Sequence, residues 1–191
     1  VRLAVADPPY PGRAHLYADH PDYAGEVDHE ELIWKLRYDG YDGWALCTNA
    51  ESLRWILPLC PREARVLAWV KHTVTVSWEP VIVMSARVPQ GVRDWNQVEP
   101  DSYQWRVKPD SYVIGQKPVA FCRWVFEWLG ARPDDTLDDL FPGSGQVGRA
   151  WVDWQAAPGL LLGLSPSAEK RAARRARAKA EHPPLEGLDG A

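Results

Sequence analysis

Cysteine is scarce. The 191 residues hold only Cys47, Cys60 and Cys122, odd in number and without a CxxC pair. That excludes a disulfide-stapled secreted scaffold and suits free buried thiols in a reducing compartment. Long apolar runs are missing: no stretch approaches the roughly 18 residues of a membrane span, and residues 1–15 lack a charged-then-apolar signal pattern. Neither membrane insertion nor secretion is expected, and a cytoplasmic location is. An excess of positive charge is also missing. With 22 basic against 26 acidic residues the net charge is −4, which excludes coating nucleic acid by bulk charge and leaves only local basic patches. The five His show no metal-ligand spacing, so no metal is expected. No internal repeat is found.

What is present describes a globular chain, with 46% apolar and 25% charged residues and enough length for a full core. One domain is expected over residues 1–181, followed by a flexible tail at 182–191. Eleven Trp is a high number; packing explains most of them, leaving one or two to stack on a planar ligand.

Strand and helix signals alternate. Residues 2–6 form an apolar run stopped by two prolines, and Asp28 caps a helix with Glu31 three residues on. Strands are expected at 43–48, 64–70, 79–85, 136–141 and 159–164, and helices at 50–60, 117–128, 146–154 and 167–181. This alternation implies an α/β fold with a mostly parallel sheet and helices on both faces. Residues 87–116 break the pattern and read as an ordered insertion or long loop.

Two motifs carry chemistry. Asp7-Pro8-Pro9-Tyr10 closes the first strand, where open α/β sheets place ligands. An exocyclic amino group of adenine or cytosine is a poor nucleophile, because its lone pair is delocalised into the ring. Asp7 can accept one of its protons in a hydrogen bond, and the Pro8 carbonyl, held by the fixed φ angles of the two prolines, can accept the other. Tyr10 can stack on the base, and the Asp7 carboxylate opposes the positive charge that builds on the attacked nitrogen. The same tetrapeptide also fits a proline-terminated strand with Asp in a turn. The second motif, Phe141-Pro142-Gly143-Ser144-Gly145-Gln146-Val147-Gly148, is a GxGxxG between strand and helix, where backbone can approach a ligand. A nicotinamide dinucleotide would need an acidic residue about 20 positions on. Here the next strand runs into Ser165, and a tight turn without ligand also fits.

Together the two motifs resemble the amino-methyltransferases that use S-adenosylmethionine to modify adenine or cytosine in DNA. Asp7 to Tyr10 looks like their catalytic motif, Asp139 to Gly145 like their cofactor motif, and Lys117-Pro118 like the segment that precedes it. Trp69 to Lys71 and Trp78 to Val83 resemble the strands that complete the sheet. The catalytic motif comes first, as in the permuted group of the family, so the resemblance implies a three-layer Rossmann-like methyltransferase fold in circularly permuted order. It implies S-adenosylmethionine as cofactor, held by Lys117, Asp139, Phe141, Gly143, Ser144, Gly145 and, in place of the usual ribose-binding carboxylate, Ser165. Asp in the first position of the tetrapeptide leans toward adenine, with cytosine as the nearest alternative. A non-catalytic binding domain with a weakened cofactor site is a further alternative, and RNA or protein is another class of substrate. In the permuted group the target-recognition region falls between the two halves, here 87–116.

That region offers Arg87, Arg93, Trp95, Tyr103, Trp105, Arg106, Lys108 and Tyr112 for phosphate contacts and base stacking, a mixture that also suits an ordinary loop. His15, Tyr17 and His20, after the catalytic motif, are expected to line a pocket for a base flipped out of DNA, although loop surface suits them equally. The basic stretch from Lys170 to Lys179 is a secondary phosphate site or a solvated helix face. The small recognition elements are compatible with a homodimer.

Overall fold

Strand β1 (Arg2–Ala6) is an unbroken apolar run, and from Leu3 onward it is buried on both faces, as a central strand requires. Helix α1 (His29–Tyr38) follows a loop containing a single 3-10 turn, Ala14–Tyr17. The Asp28 side chain accepts from the Glu30 and Glu31 amides, satisfying two of the donors that a helix start leaves open. The computed structural model describes residues 1–21, 23–71, 78–87, 98–100 and 115–156. Among them lie β2 (Gly43–Cys47), the short α2 (Leu53–Ile56), β3 (Arg65–Val70), β4 (Trp78–Met84), β5 (Val98–Pro100), α3 (Val119–Leu129), β6 (Thr136–Asp139) and α4 (Gln146–Ala156).

The six strands form one sheet in the order β5-β3-β4-β2-β1-β6. β1 runs parallel to both β2 and β6, and β3 parallel to β5, but β4 is antiparallel to both of its neighbours. The expected mostly parallel sheet is therefore mixed. The physical reason is the connection between β3 and β4: from Val70 to Trp78 there is no room for a helical crossover, and so short a link joins strands only in opposite directions. The helix expected over 50–60 is broken into 3-10, α and 3-10 turns, with Pro58 in the last of them, where its missing N–H cannot continue an α-helix. Strand β5 lies inside the segment 87–116, read as an ordered insertion or long loop. The strand expected at 159–164 and the helix at 167–181 fall outside the described residues.

Alternation along the strands separates two faces. On one, Ala4, Ala6, Trp44, Leu46 and Ile82 pack with Leu32, Ile33 and Leu36 of α1 and with Ile56. Burying each of the larger aliphatic side chains stabilises the fold by about 1.5–3 kcal/mol. On the other face Trp69 stands edge-on to Phe121 of α3 and tilted against Trp124, 5.3 Å from each ring. Helix α3 is apolar almost all round because α4 covers its far side, with Trp151 and Trp154 edge-on to Phe126. Trp44, Trp69, Trp124, Trp128, Trp151 and Trp154 are thus core residues, the packing role expected of most Trp. The thiols of Cys47, Cys60 and Cys122 are free. No helix among the described residues is long and apolar enough to cross a membrane.

Candidate active site

Because β1 and β6 are parallel neighbours, with Val5 beside Asp139, the segments that follow them emerge side by side at one edge of the sheet. The Leu140 amide donates to the Val5 carbonyl at 2.9 Å and extends the pairing by one residue. Beyond it the chain turns through Phe141-Pro142-Gly143-Ser144-Gly145 into α4. Gly143 and Gly145 have φ of +44° and +70°, left-handed values that a β-carbon disfavours. The Gly145 amide closes the turn on the Pro142 carbonyl at 2.6 Å.

A cavity of about 340 Å³ opens at this edge. Asp7 and Pro9 line it from one side and Phe141, Pro142, Gly143 and Ser144 from the other, with Lys117, Tyr17, His20 and Tyr23 completing the wall. Two segments more than 130 residues apart in sequence are therefore brought to one pocket. A larger depression of about 1030 Å³ beside β6 is shallow; Arg2 there pairs with Asp138 at 2.6 Å and lies over the Tyr41 ring, and Asp139 borders this depression rather than the smaller cavity.

Behind Asp7 lies a buried charge cluster. Lys117 Nζ donates to both Asp7 oxygens at 2.8 Å and pairs with Glu79 Oε1 at 2.9 Å. Glu79 also accepts from the Tyr10 hydroxyl and forms an ion pair with Lys71. Burial pushes the Asp7 carboxyl up, Lys117 draws it back, and the Glu79 charge pushes it up again; the net direction is upward. Glu79 suffers the same burial, but Lys117 and Lys71 outweigh it and hold its carboxyl at about 2. Desolvation pulls Lys117 down, yet Asp7 and Glu79 keep it well above its ordinary value. It stays an ammonium. Burial and then Glu79 push the Tyr10 phenol well up, and burial and then Asp7 do the same for the Cys47 thiol. Ligand atoms of Asp7, Cys47 and Glu79 lie within 4.8 Å of one another, but Lys117 is bonded to both carboxylates and supplies the positive charge there.

Across the pocket edge the chemistry differs. Both oxygens of Asp139 are inaccessible and make no hydrogen bond of normal geometry among the described residues. Burial raises this carboxyl to about 6, with the Phe141 amide the main influence in the other direction.

The residues expected at the site are distributed unevenly. Asp7, Pro9, Lys117, Phe141, Gly143 and Ser144 line the cavity, as do Tyr17 and His20. Gly145 shapes the turn behind it. Pro8 is buried beneath the motif. Tyr10 does not join that wall; it turns its hydroxyl to Glu79. His15 is exposed on the 3-10 turn and does not reach the cavity, because three residues per turn point it away from Tyr17's side. Lys117, expected on the cofactor, lines the cavity and donates to the Asp7 carboxylate. Arg87, expected among the recognition residues, makes a two-pronged ion pair with buried Asp135 at 2.6 and 2.8 Å and donates to the Gly130 carbonyl; it is a structural cation. Glu79, Lys71 and Tyr23 were not expected, and the only sequence signal for Glu79 was an acidic residue inside an apolar strand. Ser165, Arg93, Trp95, Tyr103, Trp105, Arg106, Lys108 and Tyr112 lie outside the described residues. Compared with protein-family models and with curated protein sequences, the chain matches none.

Proposed function

We propose that the protein transfers a methyl group from S-adenosylmethionine to the 6-amino group of adenine in DNA. One observation carries this: Asp7 of the amino-recognising tetrapeptide and the glycine turn after β6 line the same cavity. Its volume of about 340 Å³ lies within the range of small-molecule sites. The left-handed glycines let a ligand approach the backbone closely, and Phe141 offers an apolar face in the same cavity, so the residues fit the cofactor. Phe141, Gly143, Ser144 and Gly145 would hold it, and when bound it supplies a methyl group on a positively charged sulfur.

The rest of the chemistry belongs to the chain. Lys117 keeps Asp7 ionised in a buried place, and each Asp7 oxygen retains a lone pair beyond the one that Lys117 uses. One of these accepts an N–H of the target amino group, and the Pro8 carbonyl accepts the other. As positive charge grows on the nitrogen, the Asp7 carboxylate stabilises it, an electrostatic effect strengthened by exclusion of water. Asp7, already hydrogen-bonded to the amino group, accepts the proton shed after transfer. The base must leave the duplex to reach Asp7, which costs a few kcal/mol, and Tyr10, tied through its hydroxyl to Glu79 outside the cavity wall, supports the Asp7 side from behind.

The test is incubation with labelled S-adenosylmethionine and unmethylated DNA, nuclease digestion and mass analysis of the nucleosides. N6-methyldeoxyadenosine is the expected product. N4-methyldeoxycytidine would reassign the base. No product from DNA, with the cofactor bound, would overturn DNA as substrate.

A further inference from the structure

Glu79 is 2% exposed, yet it is the second residue of β4, between Trp78 and Pro80. Stability does not account for it. A buried carboxylate and its ion pairs can usually be replaced by packed hydrophobic groups without loss. Its partners come from separate parts of the fold: Lys71 after β3, Lys117 before α3 and Tyr10 after β1, with Asp7 and Cys47 of β2 facing the same cluster. The links through Lys117 converge on Asp7, which the proposed reaction uses. The charges also balance, with Asp7 and Glu79 against Lys71 and Lys117. Without Glu79 a net positive charge would stand beside the nitrogen on which positive charge must develop.

We propose that Glu79 is a positioning residue for the proton acceptor, fixing Lys117 against Asp7 and holding Tyr10 behind them through its hydroxyl, so that the Asp7 carboxylate is set before the base arrives. This rests on the methyl-transfer function proposed above. Glu79 touches neither reactant; it acts through Tyr10, Lys117 and Asp7. The anchor joins Tyr10, in the segment after β1, to Glu79 on β4, and β2 lies between those strands in the sheet.

The experiment compares the wild type with Glu79→Gln, which keeps an acceptor oxygen but loses the charge, and Glu79→Ala, which loses both. Titration of Asp7 is followed by carboxyl-carbon NMR, with its signal identified by its absence in Asp7→Asn. Methyl transfer to DNA is measured from about pH 5 to about pH 9, and cofactor affinity by calorimetry. In Glu79→Gln the repulsion from Glu79 disappears, so Asp7 titrates at lower pH and the acid limb of kcat/KM moves down with it. In Glu79→Ala, KM for DNA rises and kcat falls, each by about tenfold, while affinity for S-adenosylmethionine stays within about twofold of the wild type. An Asp7 titration in Glu79→Gln that coincides with the wild type overturns the proposal, as does a Glu79→Ala protein with unchanged KM and kcat. Wild-type protein that methylates no DNA refutes the proposed reaction instead, and the Asp7 titration still decides whether Glu79 governs Asp7.

Discussion

The ends of β1 and β6 lie side by side and solve opposite problems. Behind β1, two carboxylates and two ammonium groups neutralise each other in a buried cluster, so Asp7 is set in place by the protein alone. After β6 the Asp139 carboxyl is buried without a partner, and the backbone turns through left-handed glycines that pack little around them. Preorganisation is what a site for developing charge needs, because donors and acceptors already in place cost no reorganisation during the reaction. An uncompensated group is what a ligand site can tolerate, because the ligand supplies the missing partner. The finished side, at Asp7, lines the cavity, whereas the Asp139 carboxyl borders the shallower depression beside β6.

Substitutions can break this contrast. The largest expected effect is that of Asp7→Ala: methyl transfer should fall by about a thousandfold or more, while cofactor affinity, which depends on the other side, barely changes. Activity equal to the wild type would remove Asp7 from the mechanism. Lys117→Met strands Asp7 and weakens the pairing of Glu79, and should cost about 3 kcal/mol of stability near neutral pH. Protonation of the stranded carboxylates relieves that cost, so denaturant unfolding at about pH 4 should show a smaller loss than at pH 7. An equal loss at both would mean that packing, not charge, is what Lys117 contributes.

Gly145→Val acts on the other side. The added β-carbon would lie 3.1 Å from the flexible end of Arg149, which can move, but a β-branched residue is strained at φ +70°. Calorimetry should show S-adenosylmethionine binding weakened by about tenfold. The smallest effect is expected for Asp139→Asn. A folded-state carboxyl raised to about 6 binds its proton more tightly than the unfolded chain does. Its stabilising contribution is complete below the unfolded value and is lost as pH rises through about 6. The neutral amide should therefore stabilise the ligand-free protein by roughly 1 kcal/mol at pH 7, with no difference at about pH 4. No gain in stability at pH 7 would contradict the unfinished character of that side.

Local patterns made much of this legible. Asp28 before an apolar-periodic segment marked α1, paired prolines marked the end of β1, and a glycine turn between strand and helix marked the start of α4. Each depends on neighbours within a few residues, and each appears where the pattern put it. The expected mostly parallel sheet is mixed instead, because β4 runs antiparallel to β2 and β3, and the eight-residue step from Val70 to Trp78 is too short for a crossover helix. Tyr10 was correctly placed at the end of β1, but nothing in the tetrapeptide shows that its hydroxyl turns away from the cavity. That depends on a carboxylate 69 positions away.

By itself the sequence determined the strand that carries Asp7, the turn that carries Gly143 and Gly145, and the capped helix that packs beneath them, because propensity, capping and backbone freedom are properties of short segments. Only the tertiary structure decided that the two motifs share a cavity, that Lys117 holds Asp7 from 110 positions away, that Arg87 is spent on Asp135, and that Glu79 ties Tyr10 and Lys117 together. Burial and charge pairing created those relations. Both depend on which strands become neighbours, and a buried charge finds its partner wherever the sheet brings one.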